Sequence, residues 1–210
     1  MRERVGQGQS IIIDNGEAGI TLVEVMVACA LTVILFTAAF STLTSSMKSV
    51  NIQSDKLDAQ EIAQTAISRM EREIRQAQKP FLVVVGSPGI NETLEFKADL
   101  NDDGTAEAIE YQYNGYNKTL IRLVNTTGTF DFASSPRDTI APYVANTTTQ
   151  PIFSYFGTDL NTPLDPTSPS SDINNQARLI KVRLVIDKNG NKPPSAVDMA
   201  TDVKLRNFAY

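Results

Sequence analysis

The densest run of residues able to do chemistry is Asp99-Leu100-Asn101-Asp102-Asp103-Gly104-Thr105-Ala106-Glu107-Ala108-Ile109-Glu110. Hard oxygen donors at alternating positions around a glycine turn suit a calcium ion, and the spacing fits the EF-hand loop. Asp99, Asn101, Asp103 and the Thr105 carbonyl would be ligands, with Glu110 in the twelfth place. The flanking segments alternate apolar and polar residues, which is the pattern of strands and not of helices. In an extended chain Glu110 would lie roughly 13 Å from Ala106, too far to close the ring. A smaller site of Asp99, Asn101, Asp103, Thr105 and Glu107 survives that objection. A plain hairpin turn made by Asn, Asp and Gly explains the same residues. Sequence alone leaves both readings open.

Other chemistry is narrowly bounded. The 210 residues include no histidine and one cysteine, Cys29. Histidine-based triads, general bases and metal sites are excluded. One cysteine closes no intramolecular disulfide and builds no thiolate metal site. Cys29 lies in an apolar run and reads as a packing residue. The net charge of −5 argues against broad nucleic-acid binding, and no nucleic-acid partner is expected. No acid–base constellation stands out, so no enzymatic activity is expected and calcium is the one cofactor candidate.

The second residue of interest is Glu24. It is the only charge in Ile20–Leu43, a stretch of 24 residues. As a helix that stretch is roughly 36 Å long, enough to cross a hydrocarbon core of roughly 30 Å. It is longer than the apolar region of a cleaved secretory signal. A carboxylate four residues into such a run is costly unless it reaches the headgroups or meets a cation. No Lys or Arg lies between Arg4 and Lys48. A new α-amino group, made by cutting the chain just before the run, would supply one. Lys and Arg flank the run too evenly to orient it.

Gly19-Ile20-Thr21-Leu22-Val23-Glu24 resembles the class III signal of type IV prepilins and pseudopilins. The resemblance implies that a prepilin peptidase cuts after Gly19 and methylates Ile20, and that Glu24, fifth in the mature chain, pairs with a neighbour's N-terminus during assembly. Cutting after Gly16 would make Glu24 the eighth residue, which does not fit. The family usually has Phe where Ile20 stands. An α-amino pKa near 8 keeps that amine cationic at neutral pH, and either charge left unpaired in an apolar bundle is costly. The implied partners are the peptidase, other pilins or pseudopilins, the inner-membrane assembly platform and the membrane. The implied location is a single pass in the cytoplasmic membrane with an extracytoplasmic C-terminal domain, then a filament on the cell surface or in the periplasm.

The elements that must carry these residues follow from periodicity. No Pro or Gly occurs from Ile20 to Lys79. Ala59, Ile62, Ala63, Ala66, Ile67, Met70, Ile74 and Ala77 recur at three- and four-residue steps, one stripe of an amphipathic helix. Glu71 and Arg75 form an i,i+4 pair, and Arg69, Glu71, Arg72 and Arg75 read as a solvated face with Glu73. Ser45-Ser46 and Ser49–Ser54 could bend the helix. The expected organisation is a leader at 1–19, a membrane or filament-core helix at 20–46, an amphipathic helix at 47–79 and a β-rich head at 80–210. The fold class expected is α+β: a long N-terminal helix packed on a C-terminal antiparallel β-sheet domain.

In the head, alternation marks strands around Leu94–Ala98, Ile109–Tyr113, Leu120–Val124, Ile152–Phe156, Leu179–Ile186 and Val203–Phe208. Ser134–Gln176, rich in Ser, Thr, Asn, Asp and Pro, is expected to be an irregular excursion. Tyr111, Tyr113, Tyr116, Phe153, Tyr155 and Phe156 read as sheet and core aromatics. The length and loops of the head resemble a minor pilin or a J-type pseudopilin more than a major subunit. A calcium-dependent adhesive module carried on such a filament is the alternative function.

Overall fold

A computed structural model describes residues 19–85, 89–165, 170–190 and 196–205; the leader expected at 1–19 lies outside it except for Gly19. The chain divides into two units, residues up to Lys48 and residues from Ser49. One helix, α1, runs through Leu22–Arg75, 54 residues, with no interruption at Ser45–Ser54. The absence of Gly and Pro permits that length. Its start is capped by Thr21, whose Oγ1 accepts the Glu24 N–H at 3.2 Å. Its last turn tightens, with Gln76 N–H donating to the Glu73 carbonyl and Ala77 N–H to that of Ile74. The helix therefore ends at Arg75, short of the expected residue 79, because the chain enters a strand at Gln78.

Two antiparallel sheets follow. The first has the order β1-β2-β3-β4-β5, a meander of Gln78–Val85, Asn91–Ala98, Glu107–Asn114, Thr119–Asn125 and Asp138–Ala141. Pro80 donates no hydrogen bond, yet β1 accommodates it, being an edge strand with a register shift between Gln78 and Leu82. The second sheet has the order β7-β6-β8-β9, with β6 at Phe153–Phe156, β7 at Pro163–Leu164, β8 at Leu179–Ile186 and β9 at Val197–Lys204. A short helix, α2, covers Ser170–Gln176 and packs beside β1. The architecture is α+β, a long N-terminal helix with antiparallel sheets in the C-terminal region.

Several expectations need correction. The excursion expected at 134–176 contains β5, β7 and α2 besides β6, which falls where a strand was expected at Ile152–Phe156. The closing strand is Val197–Lys204 and not Val203–Phe208, whose last residues lie outside the described chain. Its polar positions, Asp198 and Asp202 among them, face solvent at an edge, which masks the alternation. Tyr116 is no core aromatic: it is exposed at the β3–β4 turn.

From Ser49 onward one core holds the unit together. Ala63, Ala66, Met70 and Ile74 of α1 meet Leu94, Phe96, Ile109, Tyr111 and Leu120 of the first sheet. Ile180, Val182 and Leu184 of the second sheet and Ile173 of α2 belong to the same cluster. Small alanines on the helix let the backbone approach the sheet side chains.

Candidate functional site

The N-terminal unit is built from exposed residues. Every residue from Gly19 to Val50 is exposed, including Ile20, Leu22, Leu31, Leu35, Phe36, Phe40 and Leu43. Among the described residues α1 is the one helix long and apolar enough to cross a membrane. Its hydroxyls are satisfied within the helix: Thr32, Thr37, Thr42 and Thr44 donate to the carbonyls of Ala28, Val33, Ala38 and Phe40. With backbone groups bonded inside the helix as well, the run suits lipid or a bundle of other helices.

Gly19 precedes the helix, and a Cβ built on it would meet no atom within 4 Å. Nothing in the fold itself requires glycine there. Ile20 follows, exposed, and Glu24 falls in the first turn of α1. A carboxylate at that place is favoured by the positive end of the helix dipole. Thr21 and Glu24 also have the spacing of a capping box. The arrangement presents one carboxylate to whatever surrounds the helix. Cys29, on the same helix, is a free exposed thiol.

The residues Asp99–Glu107 make the β2–β3 turn. Asp99 Oδ2 accepts the Gly104 N–H at 2.9 Å, Asn101 Oδ1 the Asp103 N–H at 3.1 Å and Asp103 Oδ1 the Thr105 N–H at 2.7 Å. Asn101 Nδ2 donates to Asp103 Oδ2, and Leu100 N–H to Glu107 Oε2. The hydrogen bond from the Thr105 N–H, and then that from Asn101, hold the Asp103 carboxyl below the usual range. Gly104 has φ +85°, which a side chain would strain, so the turn itself explains the glycine. Asp99, Asn101, Asp103 and Glu107 are thus each tied through a side-chain oxygen to the backbone or to a loop neighbour. Among the described residues no three acidic or cysteine side chains converge as a metal-binding group. Among the described residues Asp99 Oδ1 is the one side-chain oxygen or nitrogen buried without a hydrogen-bond partner. Glu110 stands within β3, opposite Glu95 of β2.

Sequence reading missed two buried carboxylates. Glu73, placed on the solvated face, is only 2% exposed. Its Oε2 accepts the Tyr111 hydroxyl at 2.6 Å and Arg122 Nε at 2.8 Å, and Arg69 Nε lies 3.5 Å from Oε1. Arg69 continues to Asp138 of β5 at 2.7 Å, so it too belongs to this network and not to an open surface. Burial, then the Glu73 charge, push the Tyr111 hydroxyl well above its ordinary range. The expected Glu71–Arg75 pair is present.

Glu92 is the second. It accepts N–H groups of Gly89, Ile152 and Phe153 at 2.6–3.1 Å, tying the start of β2 to the start of β6. Burial pushes its carboxyl up, against the lowering effect of those three hydrogen bonds. Gly89 is fixed by this contact: its φ is +72°, and a Cβ would lie 2.0 Å from the Thr147 backbone. The signals were available. Glu73 is three residues from Met70 and four from Ala77 on the apolar stripe, Arg122 alternates with Leu120, and Glu92 with Leu94 and Phe96.

Comparison with known proteins agrees with the N-terminal geometry. The family described as the Prokaryotic N-terminal methylation motif matches residues 14–40. This match, with the one long apolar helix that follows, supports a type IV pilin-like or pseudopilin-type subunit. The head lies outside the matched residues. No curated protein matches the chain.

Proposed function

We propose that this chain is a minor subunit of a type IV pilus or of a type II secretion-like filament, priming assembly or sitting near the tip. Prepilin peptidase cuts after Gly19 and methylates Ile20. Ile20–Leu43 holds the chain in the cytoplasmic membrane, with the head outside the cytoplasm, until it enters the filament. Glu24 then pairs with the cationic N-terminus of a neighbouring subunit. The observation that supports this most is a lone exposed carboxylate in the otherwise uncharged stretch from Ile20 to Met47, placed inside the matched signal. The loop-rich head favours a minor over a major subunit.

Mass spectrometry of the mature chain tests the processing. A methylated terminus at Ile20 is expected, and any other terminus overturns it. Because Gly19 sits in open space, Gly19→Val should leave the head folded while the leader stays attached.

Calcium at the β2–β3 turn, making the head a calcium-dependent binding module, is the second reading. The buried, unpartnered Asp99 Oδ1 favours it. Calorimetry with calcium on the intact chain in detergent tests it. Heat abolished by Asp99→Ala and Asp103→Ala supports binding, and no heat leaves a hairpin turn.

A further inference from the structure

Beyond α1, the large hydrophobic side chains exposed among the described residues are Ile90, Tyr116, Tyr143 and Leu160. Single exposed residues of this kind are ordinary. Three of these four, however, share one end of the unit that begins at Ser49. The Ile90 carbonyl, just before β2, accepts the Gly115 N–H at 2.7 Å, and Tyr116 is the next residue. The Lys118 carbonyl accepts the Val144 N–H at 2.9 Å, which sets Tyr143 beside the same β3–β4 turn. The Tyr143 carbonyl accepts the Asp187 N–H at 2.9 Å. Lys188, just after β8, holds Asp55 and Asp58, in the part of α1 nearest Ser49. Leu160 lies at the other end, beyond Phe156, which pairs with Leu179 at the start of β8.

The fold does not ask for these rings. In the β3–β4 turn Asn114 Oδ1 accepts the N–H groups of Tyr116 and Asn117 at 2.9 and 3.2 Å. The turn uses the Tyr116 backbone and leaves the residue 84% exposed. Tyr143 has φ +61°, a conformation that costs an aromatic residue more than it costs Asn or Gly. Strain kept beneath an exposed ring points to a use outside the fold. Charge and position narrow that use. Lys56, Lys118 and Lys188 offset Asp55, Asp58 and Asp187 at this end, whereas the whole chain carries −5. A neutral rim approaches a bilayer without the repulsion that an acidic face meets. Five residues separate Leu43, the last of the apolar run, from Ser49, so this end is the part of the unit tethered closest to that run.

We propose that this end is a lipid-facing rim: in the anchored chain Ile90, Tyr116 and Tyr143 rest in the headgroup region of the bilayer. Tyrosine suits that depth, because its ring is apolar and its hydroxyl stays hydrated. Tilting, ordinary for transmembrane helices, brings one side of the head down to the surface. The contact holds the head at the membrane until the chain leaves the bilayer. The inference rests on the membrane anchoring proposed above and not on the place of the subunit in a filament.

The chain has no tryptophan, so Tyr116→Trp and Leu160→Trp each install a single fluorophore, one at either end and both at exposed positions. The full-length chain is reconstituted in phosphatidylcholine vesicles with and without brominated acyl chains. The Tyr116→Trp emission should shift to the blue and be largely quenched by bromine, and the Leu160→Trp emission should do neither. In the Tyr116→Trp chain, Ile90→Ser with Tyr143→Asn should release the quenching while the unfolding midpoint stays or rises, since Asn takes positive φ readily. Equal quenching of the two reporters overturns the rim, and so does indifference to the Ile90 and Tyr143 substitutions. A blue shift without quenching means that protein and not lipid covers the ring, which also overturns it. A chain that resists alkaline extraction but shows no quenching sinks the rim and keeps the anchoring. A chain that washes off the vesicles sinks both.

Discussion

Between Gly19 and Met47 a single charged residue, Glu24, stands exposed on an apolar helix. In the unit from Ser49 onward Glu73 and Glu92 are among the buried carboxylates, and each is met by donors from separate elements. Both arrangements place a carboxylate among apolar residues. In the head the chain supplies its own donors: the Arg122 and Arg69 guanidinia and the Tyr111 hydroxyl for Glu73, and three backbone N–H groups for Glu92. In the N-terminal run no charged partner for Glu24 is present among the described residues, and the apolar surface around it is exposed. The head satisfies itself, whereas the N-terminal run leaves its carboxylate and its apolar surface exposed.

The largest effect should come from breaking the head's self-sufficiency at Glu73. Glu73→Ala leaves Arg122 buried without its carboxylate, at a cost of about 3–5 kcal/mol. Thermal unfolding of the intact chain in detergent should show a midpoint lower by roughly 10 °C. Glu73→Met with Arg122→Met should recover much of the loss, since paired apolar replacement removes both charges. If the double variant is as unstable as the single, the network holds more than that pair.

Glu92 should come next. Glu92→Ala strips the acceptor from Gly89, Ile152 and Phe153 N–H groups together, costing about 2–3 kcal/mol. Glu92→Gln keeps one acceptor oxygen and should recover part. Hydrogen exchange at Ile152 and Phe153 would report the opening directly. Exchange as slow as in the parent chain would deny the clamp.

These two residues also mark where the sequence stopped being legible. The membrane run, the 3.6-residue stripe and the alternation of β2, β3, β4 and β8 were all readable, because each puts one residue class on one face. Glu73 and Glu92 occupy the buried faces of such patterns, and a charge there reads as a break in the pattern or as a shift of face. What makes them buried is a partner 49 or 60 residues further along the chain, as with Arg122 and Ile152, and no local spacing encodes that meeting. The short β5 and β7 were hidden for a related reason. Their polar and proline-containing sequences form strands only because β4 and β6 offer an edge. At the N-terminus the situation reverses: Gly19, Ile20 and Glu24 make almost no tertiary contact, so their meaning was legible only as a motif.

A smaller effect is expected on the outer side of the first sheet. Glu95 and Glu110 face each other across β2 and β3, both half-buried. Burial, then the Glu110 charge, push the Glu95 carboxyl up to about 6, and burial pushes the Glu110 carboxyl up as well, against the lowering effect of Arg137. A raised carboxyl binds its proton more tightly in the folded chain. The contribution to stability is therefore complete below about pH 4.5 and lost as pH rises through about 6. After solvent screening it amounts to about 1 kcal/mol. Glu95→Gln should flatten the stability profile between those pH values, and Glu110→Gln should move the Glu95 midpoint down in a carboxyl NMR titration. A midpoint unmoved by Glu110→Gln would assign the shift to burial alone.

The smallest effect on stability should come from Glu24, and there the comparison becomes sharpest. Its side chain has no hydrogen-bond or ion-pair partner among the described residues, so Glu24→Ala should change the head's unfolding midpoint by no more than a surface substitution does, within about 0.5 kcal/mol. Membrane insertion should persist, since the substitution makes the run more apolar. Recovery of the chain in sheared filaments should nevertheless fall steeply, because the neighbour's cationic terminus would enter an apolar bundle unpaired. Glu24→Asp keeps the charge on a shorter stem and should restore part of the recovery, which a merely structural capping role at Thr21 would not require. Normal incorporation of Glu24→Ala would deny the assembly role. A head destabilised by Glu24→Ala would show instead that the two ends of α1 are not independent.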